Sequence, residues 1–166
     1  MTKLWLQFPE AFWEQDLEND WINFISDRPG EWVQTLNLYK YLKVPVLLLF
    51  NIGSAAKQFE AMPDAQVVES AMKAIRCWYP EAPNPVDSKF SRWGTDPYAY
   101  GAWSFIKAGS TPEDCETYFE SDSTEGMVFF AGEACTAEMI GTVHGAYITG
   151  VQAAKDCSAT FDGASE

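Results

Sequence analysis

Residues 127–154 read MVFFAGEACTAEMIGTVHGAYITGVQAA, and this stretch decides how the C-terminal half of the chain folds. Met127 to Ala131 is an apolar run of strand length that Gly132 ends. A helix is expected from about Thr142 to Cys157, with Val143, Ala146, Tyr147, Gly150 and Ala154 along one side. A glycine at the end of a strand lets backbone approach a ligand closely. Glu133, directly after it, can accept hydrogen bonds from ribose-type hydroxyls. A helix beginning in Gly141-Thr142-Val143 turns free N–H groups and its positive dipole end toward negative charge. Ordinary strand–turn–helix packing has the same spacing, so the pattern alone leaves both readings open.

Working outward, Leu4 to Phe8 alternates as a strand does, and Pro9 stops it. Residues 9–32 lack a clear period and read as loop with short turns. Val33 to Leu38 is a second strand, closed by a turn over Lys40 to Lys43. Val44 to Phe50 is the most apolar stretch and reads as a strand buried on both faces. Ser54 is the expected N-cap of a short helix from Ala55 to Ala61. Asp64 caps a longer one, in which Val67, Val68, Ala71, Met72, Ile75 and Trp78 recur at helical spacing, and Pro80 closes it. Strands are expected over Ser88 to Trp93 and Ala102 to Phe105, around a Gly-Thr-Asp-Pro turn. Thr111 to Glu125 is acidic surface loop or a short helix, and a frayed tail starts at Ser158. The elements add up to an α/β (mixed α+β) chain.

Composition narrows the function classes. With 47% apolar and 15% aromatic residues the chain can build a core, so disorder is excluded. No run reaches the roughly 18 to 20 apolar residues of a membrane span, and positions 1–20 lack a signal-peptide pattern. A formal charge of −13 argues against direct nucleic-acid binding and would attract cationic partners such as polyamines or basic peptides, although ordinary acidic solubility is the readier explanation of it. Cys77, Cys115, Cys135 and Cys157 are widely spaced; they suit free thiols in a reducing, intracellular (cytoplasmic) compartment better than zinc or a disulfide framework.

The residues themselves carry a resemblance. Residues 127–154 resemble the C-terminal signature of flavin-containing amine oxidases, the group of polyamine oxidases, monoamine oxidases and lysine-specific histone demethylases. The segment SRWGTDPYAYGAWSF at 91–105 is similar to the family's "RW..DPYARGSYS", and TKLWLQFPEAFW at 2–13 to its "TKIFLKFP..FW". The resemblance implies FAD as cofactor, with Glu133 at the ribityl or pyrophosphate region, Thr142 and Val143 presenting N–H groups to the ring, and Trp93 packing on it. It implies Trp103 and Thr142 along the amine path and Lys3 as the catalytic residue that holds a water. Ala102 stands where monoamine oxidases carry the cysteine that bonds to flavin, so the expected FAD is noncovalent. Thr142 replaces a tyrosine common in the family, which removes one aromatic wall and widens the substrate site. His144, the one histidine, is read as a packing residue.

The resemblance divides the chain into a partial substrate-binding region at 1–88, a C-terminal FAD-binding region at 89–157 with the Rossmann-like character of that domain, and a flexible tail at 158–166. It implies oxidation of an amine, preferably a polyamine, to an imine with production of hydrogen peroxide. No GxGxxG, the motif for the pyrophosphate of a dinucleotide, occurs among the eleven glycines. Three readings follow: a portion of an oxidase, a split enzyme whose N-terminal half is another chain, or a noncatalytic protein-binding module on the same fold.

Overall fold

The computed structural model describes residues 1–13, 16–120 and 128–163. The chain divides into two compact units, Met1–Ala102 and Trp103–Glu166.

The first unit is built on five strands: β1 (Thr2–Gln7), β2 (Trp21–Asn23), β3 (Gln34–Asn37), β4 (Val46–Asn51) and β5 (Asp87–Phe90). Their order in the sheet is β2-β3-β4-β1-β5, and every pairing is antiparallel. Leu4 opposes Leu49 and Leu6 opposes Leu47, so these leucines share one face. Helices α2 (Gly53–Glu60) and α3 (Asp64–Trp78) cover it with Phe59, Val67, Ala71, Met72 and Ile75. Val67, Ala71 and Ile75 fall at i, i+4 and i+8, the stripe a helix offers to a sheet. Burying each such leucine or isoleucine contributes about 1.5–3 kcal/mol. The opposite face carries Lys3, Trp5 and Phe50, all half-buried.

Two fully buried tryptophans find partners for their N–H groups. Trp13 donates its indole N–H to Asn37 Oδ1 (3.0 Å), and Trp32 donates to Ser70 Oγ (3.0 Å). Asn37 Nδ2 lies within 3.1–3.2 Å of the carbonyls of Asp16, Leu17 and Asn19, which fastens that loop to β3. Tyr79 closes the same region by donating its phenol to the Asp16 carboxylate. Burial, and then that carboxylate, push the phenol above the usual tyrosine range.

Several elements differ from the sequence reading. The loop expected over 9–32 contains β2, a three-residue edge strand too short for periodicity to reveal. The turn at Lys40 to Lys43 is a four-residue helix, α1 (Tyr39–Leu42), ended by Lys43 in the left-handed region at φ 56°. Ser54 does not cap α2, because extended Ile52 precedes that helix and Ser54 lies inside its first turn. Pro63 takes the cap position of α3, and Asp64 is its first helical residue. The strand expected to reach Trp93 ends at Phe90.

The second unit contains α4 (Glu113–Glu120), a 3-10 turn (Glu133–Cys135) and α5 (Val143–Gly163). Two strands expected around this part of the chain do not form among the described residues. Ala102 to Phe105 is irregular, and Ser104 donates its N–H to a carboxylate instead of a ladder. Met127 lies outside the described residues, and no sheet among them includes 128–131, where Val128 and Phe130 are exposed. An apolar run becomes a strand only when a neighbour offers a ladder. Helix α5 runs six residues past the expected end at Cys157, into the segment read as a tail. Among the described residues no helix is long and apolar enough to cross a membrane.

Replacing Asn37 with alanine strips the Trp13 indole and three carbonyls of a partner. N37A is expected to lower stability by about 2–4 kcal/mol, read from urea unfolding. A loss below roughly 0.5 kcal/mol would show that the Asp16–Asn19 loop is held otherwise.

Candidate functional site

Glu133 organises the second unit. It sits in the 3-10 turn after Gly132, and its two carboxylate oxygens accept separate backbone N–H groups. Oε1 takes the N–H of Ser104 at 3.0 Å, and Oε2 takes that of Gly141 at 2.7 Å. One side chain therefore fixes the residue after Trp103 and the residue before Thr142. Each oxygen has two lone pairs, so each keeps one acceptor position.

The start of α5 is built to the same standard. Thr142 Oγ1 accepts the Gly145 N–H at 3.0 Å, the N-cap geometry, and donates to the Met139 carbonyl at 2.7 Å. The Thr142 N–H, expected at the flavin ring, donates instead to the Met139 carbonyl at 3.2 Å, so the next free donors of the helix are the N–H groups of Val143 and His144; both residues are exposed, and Val143 is 88% accessible. Gly145 is where the preceding turn presses closest. A Cβ there would stand 2.4 Å from the Met139 carbonyl oxygen, so only glycine fits.

Sequence reasoning passed over Thr149, which is only 4% exposed. Its hydroxyl accepts the Gly132 N–H at 3.0 Å and lies 2.9 Å from the Gly132 carbonyl and 3.0 Å from that of Gly145. It joins the glycine before Glu133 to the first turn of α5. A threonine inside a helix is the available signal, since its hydroxyl can bond back to the i−4 carbonyl and stay buried.

The expected site residues fall in both units. Trp103, Glu133, Thr142 and Val143 are assembled in the second, where a Cβ on Gly141 would lie 3.9 Å from the Trp103 ring. The Trp103 side chain is 54% exposed. Lys3 and Trp93 belong to the first unit. Lys3 exchanges two hydrogen bonds with Ser91, each 2.9 Å, two residues before Trp93. Its ammonium stands 5.8 Å from the centre of the Phe50 ring, on the open face of the sheet. Trp93 is 53% exposed, and His144 is exposed at the helix start. Clefts of about 290 and 450 Å³ lie beside α3 between Arg28, Glu31, Ser70 and Lys73 and hold none of the expected site residues; one of about 270 Å³ in the second unit is lined by Ser104, Phe105, Cys115 and Ala134.

Cys135 is buried in the Glu133 turn. Burial pushes its thiol up from the usual cysteine value, and the Glu133 and Cys115 charges act the same way. Cys115 is buried and Cys77 exposed.

Residues 1–158 match the family model described as flavin containing amine oxidoreductase. Curated relatives include a lysine-specific histone demethylase 1 homolog 3 of Oryza sativa subsp. indica, 34% identical over 93% of this chain and 20% of that protein. Polyamine oxidase 5 of Oryza sativa subsp. japonica is 35% identical over 94% of this chain and 30% of its own length. Probable polyamine oxidase 4 of Arabidopsis thaliana is 31% identical over 94% of this chain and 30% of that protein. The chain thus spans a fifth to under a third of the length of these relatives.

Three predictions follow from this geometry. G145A should lower the melting temperature of the second unit, because the Met139 carbonyl is backbone and cannot swing away. T149V should cost about 1–3 kcal/mol and speed hydrogen exchange at the Gly132 amide, with T149S close to the parent; equal exchange in T149V and the parent would remove the latch. In iodoacetamide labelling at neutral pH, Cys77 should react well before Cys135, whose rate should climb as pH rises toward its elevated pKa. Equal rates would show that the turn opens freely.

Proposed function

Because the chain belongs to the flavin-containing amine oxidoreductases, we propose that it supplies part of the flavin and amine site of an FAD-dependent amine oxidase. The observation that carries this reading is the Glu133-fastened start of α5, with exposed Val143 and His144 in its first turn and an exposed tryptophan next to Gly141 in the same unit. A helix N-terminus favours an electron-rich edge, and an exposed indole favours a planar ring. These residues fit an isoalloxazine ring on both counts.

Each residue has definable work in that site. Val143 and His144 donate N–H groups to the ring edge that gains charge on reduction. Glu133 keeps one acceptor position per oxygen for cofactor hydroxyls while it holds the turn. Thr142 spends its hydroxyl on the cap, so it offers the amine path a small side chain without a free donor. Trp103 lines that path, and Trp93 packs on the ring. Lys3 holds and orients a water with its amine. Ala102 lacks a thiol, which makes the FAD noncovalent. The chemistry a bound flavin supplies is hydride acceptance from the carbon beside a neutral amine, giving an imine that water hydrolyses to a carbonyl and a shorter amine, with hydrogen peroxide formed on reoxidation by oxygen.

Polyamines are the preferred substrate class. The formal charge of −13 attracts polycations, and the threonine at 142 leaves room beside a linear chain. Methylated-lysine peptides share both properties and form the second arm of the test. We further propose that the pyrophosphate-binding part of the site comes from additional polypeptide, continuous or separate. Trp103, Phe105, Val143, Tyr147 and Ile148 expose apolar surface on the second unit, which such a part would cover.

The 166 residues alone should remain colourless with FAD, whereas the protein completed by a GxGxxG-bearing part should be yellow and release peroxide from spermine or spermidine. In the completed protein E133A should lower flavin content, and K3M should slow turnover by roughly 10-fold or more. Peroxide from dimethyl-lysine peptide but not from spermine would move the substrate to the demethylase class. A completed protein that takes up no FAD would leave the protein-binding reading in its place.

A further inference from the structure

Trp93 has an exposed side chain on a backbone held at both neighbours. Arg92, before it, sends its guanidinium into the junction between α2 and α3. Its Nε donates to the Glu60 carbonyl at 3.1 Å, and one terminal nitrogen donates to the Met62 carbonyl at 2.8 Å. The same nitrogen pairs with the Asp64 carboxylate at 2.5 Å, and the guanidinium lies 4.9 Å from the Phe90 ring centre. A planar fork that bonds several acceptors while stacked on an aromatic face is held in position as well as in charge.

Gly94, after it, is fastened to the same junction. Its N–H donates to Glu60 Oε1 at 3.0 Å, and a Cβ at position 94 would stand 2.7 Å from Glu60 Oε2. Glu60 is a carboxylate only 8% exposed at the end of α2. Burying an acidic group at a helix C-terminus is unfavourable in itself, because the local dipole is negative there. The acceptor it provides for Gly94 offsets that cost and explains its position. Helix α2 thus contributes to both anchors, with the carbonyl of Glu60 for Arg92 and its side chain for Gly94. The chain between them consists of Trp93 alone.

We propose that Glu60 and Arg92 are positioning residues that clamp the backbone on either side of Trp93 and set its indole as a rigid platform for a planar ring. The platform's use by a flavin rests on the function proposed above; the clamp itself does not. A fixed aromatic face gives up less conformational freedom on binding than a mobile one. That is the gain from spending two charged side chains on a surface residue.

The test uses the full chain labelled with 5-fluorotryptophan, in which W93F identifies the Trp93 fluorine resonance. The parent should give one narrow Trp93 line. R92K keeps the charge but loses the fork, and E60A removes the Gly94 acceptor; each should move or broaden that line while leaving the other tryptophan lines and the far-UV circular dichroism in place. E60Q keeps an amide oxygen for Gly94 and should restore the parent line. If E60A fails to fold, R92K against E60Q decides the matter. A Trp93 line unchanged in R92K, or disturbed as much in E60Q as in R92K, overturns the clamp. FAD added to the completed protein should shift the line further. A line that responds to R92K but ignores FAD supports the clamp and overturns the flavin reading instead.

Discussion

A backbone N–H removed from water costs about 1–3 kcal/mol unless it meets an acceptor, and irregular chain has no ladder to provide one. Here polar side chains meet that demand at the points where the fold turns. Asn51 accepts the Trp32 N–H at 2.7 Å, Glu60 that of Gly94, Glu133 those of Ser104 and Gly141, Thr142 that of Gly145, and Thr149 that of Gly132. The sheet and helices would form from hydrophobic pattern alone, but the loops that display Trp93, Trp103 and Val143 depend on these acceptors.

The same constraint shapes the candidate site. Glu133 serves the loop itself, with both carboxylate oxygens already bonded to backbone N–H groups. Preorganised polar groups need no rearrangement when charge develops nearby, which is the advantage of spending them on backbone. Thr142 illustrates the other side of this allocation. Its hydroxyl caps α5 and donates to Met139, so it has no donor left for anything else.

The regular elements of the first unit were legible because periodicity reports burial directly. Leu4 and Leu6 alternate with Lys3 and Trp5, and Val67, Ala71 and Ile75 follow the helical stripe; each pattern survives folding because one face of each element is apolar. Short elements escaped for the opposite reason. Trp21–Asn23 is a strand only through its pairing with Gln34–Leu36, and residues 128–131 have strand composition without a sheet among the described residues. The motif singled out Glu133, which the structure bonds to two backbone N–H groups, whereas Thr149 was not legible, since a lone helical threonine looks the same whether its hydroxyl is free or buried.

By itself the sequence determined the family and the mixed α and β class, together with the absence of a cysteine at Ala102, because these depend on residue identity at fixed spacing. Tertiary structure alone decided what each polar group is bonded to. It placed both Glu133 oxygens on backbone 29 and 8 residues away and tied the flanks of Trp93 to Glu60, 32 and 34 residues back. A hydrogen bond between residues so far apart leaves no periodic trace in the chain; its partners are settled only when the packing of the apolar faces brings them within 3 Å.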